Sequence, residues 1–338
     1  MRTTIASKLL LFAGLTVSTL PVLAETRIEK SLRLEPGGRF ALEAEGGSVT
    51  VAGTSAPGAR VVITSRRSDL ESLFDFRFEE GPGSVTVTSK RRRRHLFGIG
   101  STGSLHFDVQ IPAQTNLTVD TSGGRITVSG MRQRADLNTS GGSVRVGDQE
   151  GDLAAKTSGG SIEVRNLKGD LSATTSGGSI NLAGVSGRSR LESSGGTIEG
   201  SALTGSVDAT TSGGSILLDS VGADIDAQTS GGSIRVAKAG GRVDAETSGG
   251  SIDVAFTSSN ARGGVLGTSG GGIRVSLDPA VDLEIDASGG RVKSDLPLRV
   301  RGEMSRHRLQ GTLGKGGETL RLRVSGGSIT IEPLKAGS

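Results

Sequence analysis

From Ser122 to Val254 the chain repeats one pattern of apolar and polar positions. Ser-Gly-Gly begins at Ser122, Ser140, Ser158, Ser176, Ser194, Ser212, Ser230 and Ser248, each 18 residues after the last. Four residues after each serine stands Ile126, Val144, Ile162, Ile180, Ile198, Ile216, Ile234 or Ile252. Two further on stands Val128, Val146, Val164, Leu182, Gly200, Leu218, Val236 or Val254. The residue between them varies freely, for example Thr127, Arg145, Glu163 and Leu217. Apolar, variable, apolar is the period-two pattern of a strand with one buried face. The second half of each unit repeats it. Ala135, Leu153, Leu171, Ser189, Val207, Ile225 and Val243 form one column, and Leu137, Ala155, Ala173, Leu191, Ala209, Ala227 and Ala245 the next.

Each unit therefore predicts two short strands and two turns. Such a unit cannot bury its own apolar face, and stacking coil on coil solves this by pairing every strand above and below. The predicted fold class is all-β, a β-solenoid (β-helix) with 18-residue coils. About a dozen coils at ~4.8 Å each give a rod on the order of 50–60 Å long. The Gly-Gly pair is expected to supply positive φ at one corner, and Gly151, Gly169, Gly187 and Gly205 to serve the other.

The ends depart from the period. Phe40, Leu42 and Ala44, then Gly46-Gly47-Ser48-Val49-Thr50-Val51, fit a first coil, as do Leu117, Val119 and Thr121. Between them Phe74, Phe76 and Phe78, Gly81-Pro82-Gly83, then Val85 and Val87 predict a β-hairpin. Leu105, Phe107, Val109 and Ile111 predict a further strand. Residues 25–116 thus read as an N-terminal β cap holding the first coil and a hairpin insertion, and 117–296 as the regular solenoid. Residues 297–338 read as an excursion followed by a capping coil, Leu320 to Ile331.

Residues 1–24 read as a signal peptide. Arg2 and Lys8 precede an apolar stretch from Leu9 to Val22, and cleavage is expected between Ala24 and Glu25. Export to the periplasm, the cell surface or the medium is expected, with no integral membrane segment in the mature chain. The chain has no cysteine, which excludes a disulfide framework, a Cys-based zinc site and a thiol nucleophile. The formal net charge of +4 falls to +2 once Arg2 and Lys8 leave, so polyanion binding would need a local cluster.

One such cluster is Lys90, Arg91, Arg92, Arg93 and Arg94, followed by His95, with Arg66-Arg67 nearby in sequence. Guanidinium groups pair with phosphate and carboxylate, so the run is a candidate polyanion site; a solvated hairpin tip is the plainer reading. Arg299, Arg301, Arg306, His307 and Arg308 form a weaker basic stretch. Nucleic acid is not expected, because no aromatics interleave with the basic residues. Asp208, Asp226 and Asp244 would stack carboxylates at strand spacing, but calcium-roll chemistry needs Gly-Gly-x-Gly-x-Asp in each half-coil, so a solvated face is preferred and no metal or cofactor is expected. Thr139, Thr157, Thr175, Thr211, Thr229 and Thr247 are read as a hydrogen-bonded ladder that steadies the corner rather than an ice-binding face. The three histidines lie outside the regular coils and no catalytic spacing stands out, so the chain is not expected to be an enzyme.

The strand ending Val109-Gln110-Ile111-Pro112, the link to Leu117-Thr118-Val119, the Thr-Ser-Gly-Gly-Ser-Ile coils and the closing Ser325-Gly326-Gly327-Ser328-Ile329 resemble a bacterial family of unknown function labelled "putative adhesin". The resemblance covers most of the mature chain. It implies a non-catalytic cell-envelope β-solenoid and transfers no site residue. The expected function is an adhesin or structural rod whose partner is an envelope or host-surface glycan or protein. The alternative is a polyanion- or glycan-binding module using 90–94, with a carbohydrate-active enzyme third.

Overall fold

The computed structural model describes residues 26–67, 69–92, 105–260, 262–300 and 305–335. The expected signal peptide lies outside them, as do Arg93, Arg94, His95 and Arg301. The molecule is a β-solenoid: two long sheets lie face to face, one of 15 strands and one of 16 among the described residues. At ~4.8 Å per strand, the stack is about 70 Å long.

In the regular part every coil gives one strand to each sheet. Val144–Glu150, Ile162–Lys168 and Ile180–Val185 follow one another in the first sheet, parallel, each residue facing its equivalent one coil away. Ala135–Thr139, Leu153–Thr157 and Leu171–Thr175 do the same in the second. The inward columns read from the sequence are the core: Ile162, Ile180, Ile198, Ile216 and Ile234 are fully buried. Burying each such side chain contributes about 1.5–3 kcal/mol relative to exposure.

A further inward column was not read from the period-two pattern. Met131, Gln149, Leu167, Val185, Leu203, Val221 and Ala239 are all buried, one per coil. Just before each of the first six stands a left-handed residue: Gly130, Asp148, Asn166, Gly184, Ala202 and Ser220, with φ of 71, 51, 55, 69, 54 and 60°. Each left-handed residue turns the next side chain inward, so alternation breaks there in these coils while the register between coils stays one-to-one. Asn166 and Asp148 also bond to each other, Nδ2 to Oδ1 at 2.8 Å.

The Ser-Gly-Gly corner works differently from the expectation. In the regular coils neither glycine has positive φ. The second glycine is needed because the coils touch there. A Cβ on Gly160 would lie 2.0 Å from the carbonyl oxygen of Gly142, one coil below. At the other corner Gly151 and Gly169 do have positive φ, at 91 and 155°, whereas Gly187 and Gly205 do not. The threonine ladder runs inside this corner. Thr157 is buried; its hydroxyl donates to the Gly142 carbonyl at 2.7 Å and accepts from the Gly160 N–H at 3.2 Å. The same pair of bonds recurs at Thr139, Thr175, Thr211, Thr229 and Thr247.

At the N-terminal end the strands are β1 (Thr26–Leu32), β2 (Arg39–Ala44), β3 (Ser48–Thr54), β4 (Ala59–Ser65), β5 (Phe74–Gly81), β6 (Ser84–Arg91) and β7 (His106–Pro112). β2 and β3 form the first coil, in parallel register with Asn116–Thr121 and Ile126–Ser129. Beyond it, β6 and β7 continue the two sheets in parallel, and β5, β4 and β1 close them antiparallel. β5 and β6 are the hairpin anticipated from the phenylalanines. The Phe74 and Phe76 rings stack 6.0 Å apart, and Lys30 Nζ lies 6.0 Å from the centre of the Phe78 ring.

The C-terminal end is built the same way, and its order in space differs from its order in sequence. The last coil, Thr319–Val324 and Ser328–Pro333, lies directly on Gly264–Thr268 and Ile273–Leu277. Leu283–Ser288 and Arg291–Ser294 pack outside it. Part of the excursion, Arg308–Leu313, then pairs antiparallel with Leu283–Ser288 and carries the short strand Arg299–Val300. Antiparallel strands thus end both sheets at the N-terminal end and the second sheet at the C-terminal end, whereas the first sheet ends there on the short parallel strand Arg291–Ser294. Antiparallel or short edges recruit another chain less readily than a long parallel one.

Candidate binding groove

The outward columns carry charges that compensate one another from coil to coil. Arg145 and Arg165 both hold Glu163, at 2.8 and 2.7 Å, and Lys168 meets Glu150 at 3.4 Å. The Asp208, Asp226 and Asp244 column is stacked as expected, and it has its own partners. Arg190 lies 3.9 Å from Asp208, Gln228 Nε2 donates to Asp226 at 3.1 Å, and Arg242 is 3.0 Å from Asp244. Among the described residues no cluster of three or more His, Cys, Asp or Glu is arranged to hold a metal ion.

A long concavity runs along the outer edge of the second sheet beside the Ser-Gly-Gly corner, towards the C-terminal end. Its volume is about 680 Å³. One wall is the outward column Thr210, Gln228, Glu246, Gly267 and Arg323, brought into line by parallel register across five coils. The other is the row of exposed corner serines, Ser212, Ser230, Ser248, Ser269 and Ser325. The hollow is deepest in chemistry at Gly267, where the column lacks a side chain. A Cβ there would meet only the flexible Glu246 side chain, at 3.8 Å.

Two charged groups flank this gap in opposite states. The Glu246 side chain is exposed and has no hydrogen bond or ion pair among the described residues, while its backbone is held between two strands. Arg323 is fixed: Nη2 donates to Asp286 Oδ2 at 2.6 Å, and Nη1 donates to the carbonyls of Asp286 and Leu322 at 3.1 and 3.2 Å. That guanidinium holds the Asp286 carboxyl below its ordinary range, with Gln310 adding a weaker bond. The groove therefore offers many hydroxyls, one amide, an unengaged carboxylate and a positioned cation. Such a set exchanges hydrogen bonds with a polyhydroxylated ligand. Neither the gap at Gly267 nor Arg323 was singled out from the sequence. The signal was there in the column Thr210, Gln228, Glu246, but Gly267 and Arg323 join it only after the period changes.

The basic run lies at the opposite end. Lys90 and Arg91 close β6 and face Asp75 and Phe74 of β5. The Arg91 N–H donates to Glu45 at 2.8 Å, and the Arg92 guanidinium is 3.8 Å from Asp75. Lys90 lines a smaller hollow of about 310 Å³ together with Glu43, Glu45 and Asp120. The described part of the run is therefore set among carboxylates. Arg67 is engaged by Asp69 through two bonds of 2.9 Å. Arg306, His307 and Arg308 are exposed in and beside the strand Arg308–Leu313.

No curated protein matches the chain. Among solved structures, one from Bacteroides fragilis described as a "putative adhesin" is 11% identical, covers 91% of this chain and 98% of that one, and has a TM-score of 0.36. A second so described, from Parabacteroides merdae, is 12% identical over 91% and 96% of the two chains, with a TM-score of 0.35. A Parabacteroides distasonis structure described as a "putative lipid binding protein" is 11% identical over 91% and 97%, with a TM-score of 0.33. The family model described as Toastrack DUF4097 matches residues 41–332, from the first coil to the last, and the chain belongs to that family.

Proposed function

We propose that the protein is a non-catalytic, exported rod of the cell envelope that binds a hydroxyl-rich polymer, a glycan segment, along the groove beside Gly267. The observation that carries this is the groove itself: five coils align serine hydroxyls, Gln228, the unengaged Glu246 and the fixed Arg323 around a gap in the side-chain column. The chain has neither Trp nor Tyr. Sugars would be held by hydrogen bonds at their edges rather than by ring stacking, so affinity per sugar unit is low and several coils act together. The apolar leader Leu9 to Val22 supports export.

Titration calorimetry of the mature protein against neutral, amino-sugar and anionic oligosaccharides tests this. The Gly267→Phe variant fills the gap from the solvent side of a strand and leaves the core untouched. Binding that weakens at least about tenfold in this variant, a loss of ~1.4 kcal/mol, is the expected result. Binding that survives the filled groove but is lost when Lys90, Arg91 and Arg92 are neutralised moves the site to the basic run. Absence of binding to all three classes rejects the glycan reading.

A further inference from the structure

The outer face of the first sheet carries a second pattern, on the other side of the molecule from the groove. One outward column reads Arg145, Glu163, Asn181, Glu199, Leu217, Arg235, Asp253 and Arg274 over consecutive coils. Leu217 is 37% exposed, and the only other exposed large hydrophobic residue among those described is Val300, at 43%. It stands in a shallow furrow of about 400 Å³ whose floor includes Leu182, Gly200 and Leu218. A second furrow of about 380 Å³ shares Asn181 and Leu182 with it, so the depression runs on along the rod. The neighbouring outward column is mostly small: Gly147, Arg165, Ala183, Ser201 and Asp219. Small residues let a second flat surface come close.

Within three coils of Leu217, the residues at equal distances on its two sides are complementary pairs, two of them of opposite charge. Glu199 lies one coil before it and Arg235 one coil after. Glu163 lies three coils before and Arg274 three coils after, with Asn181 and Asp253 between. A column of this kind is complementary to its own reverse. We infer that this face binds a second copy of the same chain, the two rods antiparallel, about a two-fold axis that runs along the strands at Leu217. An isologous contact of this type places residue i on j and j on i. Leu217 then meets its copy, Glu199 meets Arg235 twice, Asn181 meets Asp253, and Glu163 meets Arg274. Asp219 meets its own copy and has Arg235 as a diagonal neighbour one coil away, within reach of a long side chain. Parallel rods in the same register are disfavoured, because Glu199 would meet Glu199 and Arg235 would meet Arg235.

Glu199 also differs from the other acids of its column. Glu163 is engaged by Arg145 and Arg165, and Asp253 lies 3.8 and 4.0 Å from Arg235 and Arg274. Glu199 has no ion pair among the described residues, and the Arg235 side chain is 67% exposed. The paired coils, Glu163 to Arg274, span about 34 Å along the rod and about 13 Å across, on the order of 450 Å² per copy, the size of a weak, transient interface. The pairing is therefore a reversible, concentration-dependent one. It leaves the second sheet of both copies outward, so a dimer would present two grooves on opposite sides.

Sedimentation velocity of the mature protein over a concentration series into the millimolar range tests the pairing. The wild type is expected to dimerise, less so at high salt. Glu199→Arg and Arg235→Glu should each weaken the dimer at least about tenfold, and the double exchange should restore it to within about threefold of wild type. Leu217→Asp should abolish it. All of these side chains point to solvent, and unchanged thermal unfolding confirms that the variants fold. A wild type that stays monomeric throughout overturns the inference, whatever else binds the face. So does a dimer indifferent to Glu199→Arg, or a double exchange that fails to restore pairing.

Discussion

Gly160 and Gly159 are neighbours with identical sequence credentials, yet only one is indispensable on physical grounds. A Cβ on Gly160 would fall 2.0 Å from the Gly142 carbonyl, the same oxygen that accepts the Thr157 hydroxyl. A Cβ on Gly159 would meet nothing closer than 3.8 Å, and neither glycine has positive φ. Gly160→Ala is therefore expected to cost on the order of 3 kcal/mol, because two backbones must part, while Gly159→Ala should stay within about 1 kcal/mol of wild type. Denaturant unfolding of the two variants checks this, and equal effects would refute the close-approach account. The sequence marks both glycines as special and cannot say why. Positive φ and close contact select the same residue, and only the packing of one coil on the next tells them apart. The left-handed column shows the converse. Asp148, Asn166, Ala202 and Ser220 occupy it with four different side chains, so identity gave no sign of the shared conformation.

The elements at the ends carry the information that a repeat cannot. The Phe74, Phe76 and Phe78 alternation and the Gly81-Pro82-Gly83 turn made the N-terminal hairpin legible, because local pattern alone decides it. The C-terminal arrangement was not legible. Thr319–Val324 sits between Gly264–Thr268 and Leu283–Ser288, and all present similar inward columns, so the sequence offers several equivalent neighbours. One outward contact that the inward columns do not encode fastens the last coil to its outer neighbour: Arg323 on Asp286 at 2.6 Å. Because Arg323 lowers the Asp286 pKa, the ionised carboxylate favours the folded state at pH values above its unfolded pKa, about 3.9. That contribution fades as pH falls through the lowered folded value. The stability difference between wild type and Asp286→Asn, followed by thermal unfolding, should therefore shrink as pH falls from about 5 to about 2. A difference constant over that range would contradict the ion pair as the fastening of this end.

At the scale of the molecule, period and burial were legible together. Strict spacing gave the coil, alternation gave the inward columns, and the two-sheet rod follows. The column from Met131 to Ala239 escaped because a left-handed residue in most coils shifts alternation by one residue, although its 18-residue spacing stands in the sequence. The groove escaped for a related reason: it lies where the period changes, at Gly267 and Arg323. The basic run, prominent as a string of letters, is in its described part set beside Glu43, Glu45, Asp75 and Asp120.

Stacking of interchangeable coils with a binding groove at one end is the central claim, and removing one coil tests it most directly. Deletion of Leu153 to Asp170 takes out 18 residues and joins Asp152 to Leu171. Leu171–Thr175 should then pair with Ala135–Thr139 through the same columns, and the groove from Thr210 to Arg323 is untouched. Small-angle scattering combined with ligand titration should find a folded rod shorter by about 4.8 Å that binds oligosaccharide as the full chain does. A deletion variant that unfolds, or that folds and loses binding, would contradict the account.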